Sequence, residues 1–256
     1  MSDEPQQAPQ AHPTPQAHPT PQVPVPAQPS GPAPVGQPAQ LSAADRVRLA
    51  AQARGETDYI FNYWTALGWS ILTLGIYGFY VFYQLIRRMR DHNARRLELL
   101  EAATAVAREQ AGKRGLQQEL EPSFQRAEAQ LAVMRQMTFD FRDPIIWVLL
   151  AIIAGVAEII GFVLLDQDLI KHERAEAGVE NELSVIYGRL GQHVPAPPQG
   201  AVKSPDNYVG RVLASIFTLG IYLFWWLYNQ MQEPNRHFTM NWTQEDALVQ
   251  AVAAVG

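Results

Sequence analysis

The feature that most constrains this chain is an internal repeat. Ser70–Tyr83 reads S-I-L-T-L-G-I-Y-G-F-Y-V-F-Y, and it returns as Ser215–Tyr228, with nine of fourteen positions identical at an offset of 145 residues. The same offset pairs His92 with His237. A fixed offset that extends beyond the apolar stretch indicates a duplicated structural unit.

Each copy is rich in aromatic and aliphatic residues and nearly free of charge. A third apolar stretch, Ile145–Leu165, contains a single charged residue, and 21 residues of helix would extend about 30 Å, which matches the thickness of a bilayer core. The sequence therefore predicts an all-α integral membrane protein with about three hydrophobic segments, two of them an internal repeat.

The chain is predicted to divide into eight stretches. Twelve of the 19 prolines precede residue 42, which indicates disorder there, and apolar residues at steps of three and four indicate amphipathic helices outside the bilayer. In order, the stretches are a disordered Pro/Gln/Ala-rich tail (1–41), a short amphipathic helix (42–56), membrane repeat 1 (59–86), a helical hairpin (87–143), a transmembrane helix that continues as a coiled-coil-like helical arm (144–190), a linker (191–206), membrane repeat 2 (207–238) and a C-terminal tail with a short helix (239–256).

The distribution of Lys and Arg predicts the orientation of the chain. Eleven of the 20 fall between residues 87 and 143, and positive residues concentrate in cytoplasmic loops. The hairpin is therefore expected in the cytoplasm of a multi-pass protein. The sides of the two termini stay open, because they depend on whether each repeat crosses the bilayer once or turns back within it.

Composition argues against several classes of protein. The absence of cysteine excludes disulfides and thiolate chemistry, and a net charge of −5 without a basic cluster gives no support to nucleic-acid binding. No two of the six histidines stand three or four residues apart, so no metal site and no cofactor are expected. No phosphate loop or catalytic triad is evident, so the chain is not expected to be an enzyme.

The T-L-G-I-Y core predicts a weak point in each repeat. Glycine loosens a helix, and a threonine hydroxyl bonds to a carbonyl one turn back, so each segment should kink or break there. Broken helices in matched repeats build solute sites, whereas small residues also permit close helix packing, and packing is the favoured alternative. The residues concerned are Thr73, Gly75 and Tyr77 in the first copy and Thr218, Gly220 and Tyr222 in the second.

Glu158 is the strongest single candidate for chemistry. It lies near the middle of an apolar segment, where desolvation should raise its pKa, and small residues surround it at helical spacing. Its expected partners are the motif threonines and tyrosines or Arg211. A proton or cation relay and a simple interhelical hydrogen bond are the two alternatives.

The repeated T-L-G-I-Y, followed by Gly78-Phe79-Tyr80 in one copy and Leu223-Phe224-Trp225-Trp226 in the other, resembles a family of small bacterial membrane proteins. That family is a domain of unknown function with a T-L-G-I-Y-x-x-x-W/Y pattern that is often present twice. The resemblance covers about fifty residues of the chain. It implies the bacterial plasma (inner) membrane and brings no activity or cofactor.

Taken together, these features predict a structural or regulatory protein of the scaffold or partner-binding type. Its expected partners are the lipid bilayer and either a second copy or another protein, bound through the hairpin or the arm. The alternative is a small transporter or channel that uses Glu158 and the helix breaks at Gly75 and Gly220.

Overall fold

The computed structural model describes residues 41–255, which form helices and no strand. Most of the 1–41 tail predicted to be disordered lies outside these described residues. The helices of the described part are α1 (Ala43–Gln52), α2 (Arg54–Thr57), α3 (Tyr63–Leu72), α4 (Ile76–Lys113), α5 (Gln117–Phe139), α6 (Pro144–Ile153), α7 (Val156–Arg189), α8 (Tyr208–Phe217) and α9 (Ile221–Val255).

Side-chain caps fix where several of these helices begin. Ser42 accepts a hydrogen bond from the backbone N–H of Asp45 at the start of α1, as its sequence signature predicts. Asn62 and Asn207 occupy matching positions in the repeat and cap α3 and α8 in the same way. Asp143 caps α6 ahead of a proline at the first helical position.

Three hairpins of unequal arms make up most of the molecule. In each, a ten-residue helix (α3, α6 or α8) turns back into a helix of more than 30 residues (α4, α7 or α9). The turns consist of residues 73–75, 154–155 and 218–220. We call these three turns and the helix residues beside them the tips.

The long helices bury two apolar cores. One core lies next to the short arms and includes Phe82, Phe162 and Trp226. The other lies toward the far end of the long helices, where α1 and α5 join α4, α7 and α9 around residues such as Leu99 and Val179. A layer of buried polar residues separates the two cores along α4, α7 and α9.

The prediction of a multi-pass integral membrane protein is wrong. Among the described residues, no helix combines the length and the apolar character needed to cross a bilayer. Each predicted segment is divided by a turn: the first repeat at Thr73–Gly75, Ile145–Leu165 at Ala154–Gly155, and the second repeat at Thr218–Gly220. The transmembrane topology, the plasma-membrane location and the cytoplasmic assignment of residues 87–143 therefore lose their basis.

The amphipathic stripes of the hairpin and the arm pack within the chain. Leu120, Phe124 and Leu131 of α5 are buried in the same core as Val179 and Leu183 of α7. These stripes are therefore covered by one another, which was the simpler of the alternatives.

The C-terminal stretch differs from its prediction, because α9 continues through Pro234 to Val255 without a separate short helix.

Candidate functional site

The T-L-G-I-Y residues build the turns at two of the tips. The hydroxyl of Thr73 donates to the carbonyl of Trp69 (2.8 Å) and accepts from the backbone N–H of Tyr77 (2.9 Å). The next two residues, Leu74 and Gly75, both have positive φ, at 54° and 92°. The hydroxyl thus closes one helix and opens the next, while the two left-handed residues reverse the chain.

The second copy repeats this geometry. Thr218 Oγ1 donates to the carbonyl of Ala214 (2.7 Å) and accepts from the backbone N–H of Tyr222 (3.0 Å). Leu219 and Gly220 have φ values of 52° and 90°. Threonine, glycine and tyrosine of the motif therefore have local roles in the turn, and the helix breaks rather than kinks.

The structure does not bring Glu158 and Arg211 together. Glu158 is in the first turn of α7, and burial raises its pKa. Within residues 41–255, no hydrogen bond or ion pair joins it to the motif threonines, the motif tyrosines or Arg211. Arg211 is buried at the start of α8, where it pairs with Asp206 (2.6 Å) and packs over the rings of Trp225 and Trp226.

The structure brings three histidines together in the polar layer. His92 of α4, His172 of α7 and His237 of α9 form a nearly equilateral triangle, with ring centroids 5.2 to 5.4 Å apart. Glu176, one turn after His172, completes the group, and all four side chains are at least 95% buried. One ligand atom from each of the four lies within 4.8 Å of the others.

The atoms that face one another are suited to a metal ion. Nε2 of His237 lies 3.2 Å from Oε2 of Glu176, and Nε2 of His172 lies 3.6 Å from it. Around a tetrahedral Zn²⁺ with bonds of about 2.0 to 2.1 Å, ligand atoms are separated by roughly 3.4 Å. Nε2 of His92 and of His172 are buried without a hydrogen-bond partner among the described residues. An ion between the rings would satisfy both.

A second layer of groups orients His92. Its Nδ1 donates to Asp58 (2.9 Å), which leaves the lone pair of Nε2 directed at the other histidines. Asp58 also accepts from Arg95 (2.7 Å) and from the indole of Trp242 (2.8 Å). Burial alone would raise the pKa of Asp58, but His92, Arg95 and Trp242 hold it below its usual range.

Glu176 is held by Arg96 and Asn241. Nε of Arg96 donates to Oε1 of Glu176, and Nδ2 of Asn241 lies 3.0 Å from both of its oxygens and 3.2 Å from Nε2 of His237. Burial opposes ionisation, yet the neighbouring Arg96 guanidinium helps to lower the pKa of Glu176 well below its ordinary value. A bound ion would compete with Asn241 for the lone pair on His237.

The charges of the layer do not balance. Arg95 and Arg96 are joined through ion pairs to four carboxylates, which leaves two negative charges uncompensated when all four are ionised and the histidines are neutral. Arg88 and Glu173 are also buried, at the edge of the layer. The four carboxylates are Asp58, Glu176, Glu180 and Glu245.

Burial keeps two of the histidines in the neutral form that binds metals. It lowers the pKa of His172 to about 4 and that of His237 well below its ordinary value. Burial and the neighbouring Glu176 raise the pKa of Glu180 to about 8.

A cavity of about 330 Å³ adjoins the histidine group. Its wall includes Glu176, His237 and Asn241 on one side and the proline-rich segment 195–198 on the other. Glu176 and His237 therefore belong both to the wall of the cavity and to the histidine group.

No protein-family model, curated protein or solved structure matches this chain, so the T-L-G-I-Y resemblance remains a prediction.

The histidine group was missed at the sequence level because its members are far apart in the chain. Two signals were nevertheless present. The repeat offset pairs His92 with His237, and Glu176 follows His172 at the helical spacing of four. Neither signal places the three helices side by side, and spacing alone led to the expectation of no metal site.

Proposed function

We propose that this protein binds one first-row divalent transition-metal ion between α4, α7 and α9, with His92, His172, Glu176 and His237 as ligands. The single observation that carries the proposal is the meeting of three buried imidazoles with one carboxylate, two of the imidazoles having unpartnered nitrogens. Buried polar groups without partners are costly, and a metal ion is the partner that imidazole nitrogens accept most readily.

The ligand chemistry favours zinc or iron(II). Imidazole binds Zn²⁺, Cu²⁺, Fe²⁺ and Ni²⁺ well, whereas sites for Mg²⁺ and Ca²⁺ are built from oxygen. A set of four protein ligands is typical of structural zinc sites, which leave no open position. Zn²⁺ is therefore the first ion to test.

The role that follows from this position is structural. Each ligand-bearing helix spans both cores, so an ion at the polar layer would fasten the three long helices at mid-length. Two positive charges would also neutralise the excess of the four paired carboxylates. Such a fastened helical body is consistent with the scaffold role predicted from the sequence, which stays a prediction, as do the absence of enzyme activity and the transporter alternative.

The test is metal content after controlled loading. The purified chain is stripped with a chelator, incubated with ZnSO₄ or CoCl₂, desalted and analysed by elemental mass spectrometry. We expect one ion per chain for the wild type and a tetrahedral visible spectrum for the cobalt form. His172→Gln, which preserves size and polarity, should lose the ion.

The matched control is His193→Ala, because His193 is exposed in the loop after α7. It should retain the ion. Wild-type protein that emerges metal-free from every loading, or His172→Gln that retains as much metal as His193→Ala, would refute the proposal. Circular dichroism of each variant separates loss of the ligand from loss of the fold.

A further inference from the structure

We propose that the three hairpin tips insert together into one leaflet of a phospholipid bilayer, entering and leaving on the same side. Nothing in this proposal requires a segment that crosses the bilayer, and nothing in it depends on the metal ion. It rests on five observations: the exposed apolar surface of the tips, the near absence of charge there, the leucine in each T-L-G turn, the internal hydrogen bonding of those two turns and the length of the short arms.

The tips expose large apolar side chains at all three turns. Leu74 and Leu219 are each 94% exposed, and Ile153, at the third turn, is 82% exposed. The neighbouring residues are similar, and single exposed leucines are common whereas a continuous apolar patch is not. Other exposed side chains on the short arms and beside the turns are Trp64, Ile71, Leu72, Ile76, Ile145, Ile152, Val156, Val209, Ile216, Phe217 and Ile221.

Charge is nearly absent from the same regions. Residues 59–86 and 144–157 contain no Asp, Glu, Lys or Arg, and 208–232 contain only the buried and paired Arg211. Glu158, next to the third turn, is partly buried, and burial raises its pKa. A water-facing loop of this size would be expected to carry polar residues.

The leucine in each T-L-G turn indicates that the surroundings of the turn are apolar. A left-handed backbone suits Gly, Asn or Asp, and a bulky residue there is strained. Both copies nevertheless place a leucine at positive φ and direct it almost fully outward. In water this position would combine backbone strain with an exposed isobutyl group, whereas transfer of that group into hydrocarbon would offset both.

The two T-L-G turns satisfy their own backbone N–H groups, as a segment placed in hydrocarbon must. The N–H of Gly75 donates to the carbonyl of Ser70 (2.7 Å), and that of Gly220 donates to Ser215 (2.8 Å). The threonine hydroxyls accept from the second N–H of the following helix, that of Tyr77 or Tyr222. Within a bilayer each unsatisfied group would cost several kcal/mol.

The dimensions match one leaflet. A helix of ten residues extends about 15 Å, which is half of the roughly 30 Å hydrocarbon core. All three short arms have ten residues. Aromatic residues lie toward the open ends of two hairpins, with Trp64 on α3 and Tyr228 on α9, and such side chains favour the headgroup region.

The test is flotation with vesicles of phosphatidylcholine, with and without phosphatidylglycerol, after transfer of the purified chain from detergent. Wild-type protein, metal-free or metal-loaded, should float with both vesicle types. The double variant Leu74→Asp/Leu219→Asp should bind about tenfold less or weaker still, because aspartate in hydrocarbon is strongly disfavoured. Both leucines are almost fully exposed, so the fold should be unaffected.

The matched control is Val185→Asp, which puts the same charge on an exposed apolar position of α7, 29 residues from its first residue, Val156. It should float like the wild type. Wild-type protein that does not float, or equal losses for the control and the double variant, would overturn the proposal. So would a defined oligomer in vesicle-free buffer that dissociates in the double variant, because the tips would then be covered by a second copy.

Discussion

The tips and the polar layer reverse the usual arrangement of a folded protein. At the tips, leucine, isoleucine and tryptophan face outward, while in the layer two arginines, four carboxylates and three histidines are enclosed. Charged residues are rarely fully buried unless paired, and large apolar patches are rarely exposed unless they bind something. Both regions therefore indicate a partner, but of opposite kinds.

The two regions are stabilised in different ways. The polar layer is compensated from within, because its charges are joined to one another by ion pairs and only the remaining charge calls for a cation. The tips satisfy their backbone from within but leave their side chains uncovered. Substitutions in the layer should therefore affect stability in any solvent, whereas outward-facing tip residues should affect chiefly binding to a surface.

The largest effect is expected from Arg96→Met. Arg96 is buried among Glu176, Glu180 and Glu245, so its removal leaves carboxylates uncompensated and should lower the free energy of unfolding by about 3–5 kcal/mol. Urea denaturation followed by circular dichroism measures this. The control Arg135→Met removes an exposed arginine and should cost less than about 1 kcal/mol. Equal losses in the free energy of unfolding for the two variants would contradict the larger contribution expected of the buried ion pairs.

The next effect is that of the metal ion. With free Zn²⁺ at 100 times its dissociation constant, the free energy of unfolding should rise by about 2.7 kcal/mol. Leu74→Asp/Leu219→Asp should show the same gain, because the tips are separate from the ligands, and His172→Gln should show none. Thermal unfolding with and without chelator gives the comparison. A gain that disappears in the tip variant would mean that the two regions are coupled.

A smaller effect is expected at the turns. Gly75 and Gly220 have φ near 90°, so Gly75→Ala or Gly220→Ala should destabilise the chain by about 1–2 kcal/mol through backbone strain. Gly68→Ala, inside α3 with open space around the new methyl group, should instead stabilise it by about 0.5–1 kcal/mol. The denaturant midpoints of the three variants measure these changes. A change in stability of the same sign at all three sites would contradict the turn geometry.

The smallest effect concerns an ion pair outside both regions. Arg46 bonds to Glu98 on the surface and lowers the pKa of that carboxyl below 4.5. Because the folded pKa is the lower one, the stabilisation is present above pH 4.5 and is lost as the pH falls through the folded value. Glu98→Gln should lower the free energy of unfolding by less than about 1 kcal/mol at pH 7, and its difference from the wild type should shrink as the pH falls below 4.5. Unfolding curves at pH 7 and pH 3 test this.

Much of the local structure could be predicted from the sequence. The cap at Ser42, the weak point at Thr73-Leu74-Gly75 and the apolar stripe of α5 are short-range patterns, and each appears in the structure where its spacing places it. The membrane topology was wrong because hydropathy counts apolar residues without registering a chain reversal. Two left-handed residues at the middle of each repeat turn one apparent span into two ten-residue or longer pieces.

The sequence did not decide between a kink and a reversal at the middle of each repeat, but it was enough to predict a helical chain, a duplicated unit and a weak point at Thr73–Gly75 and Thr218–Gly220. These properties depend on neighbours within about one helical turn, which the linear order specifies. Only the tertiary structure decided that His92, His172 and His237 share one buried centre and that the tips stay uncovered. Both depend on how α4, α7 and α9 pack side by side, and that packing is the joint outcome of contacts between residues that lie more than 60 positions apart in the chain.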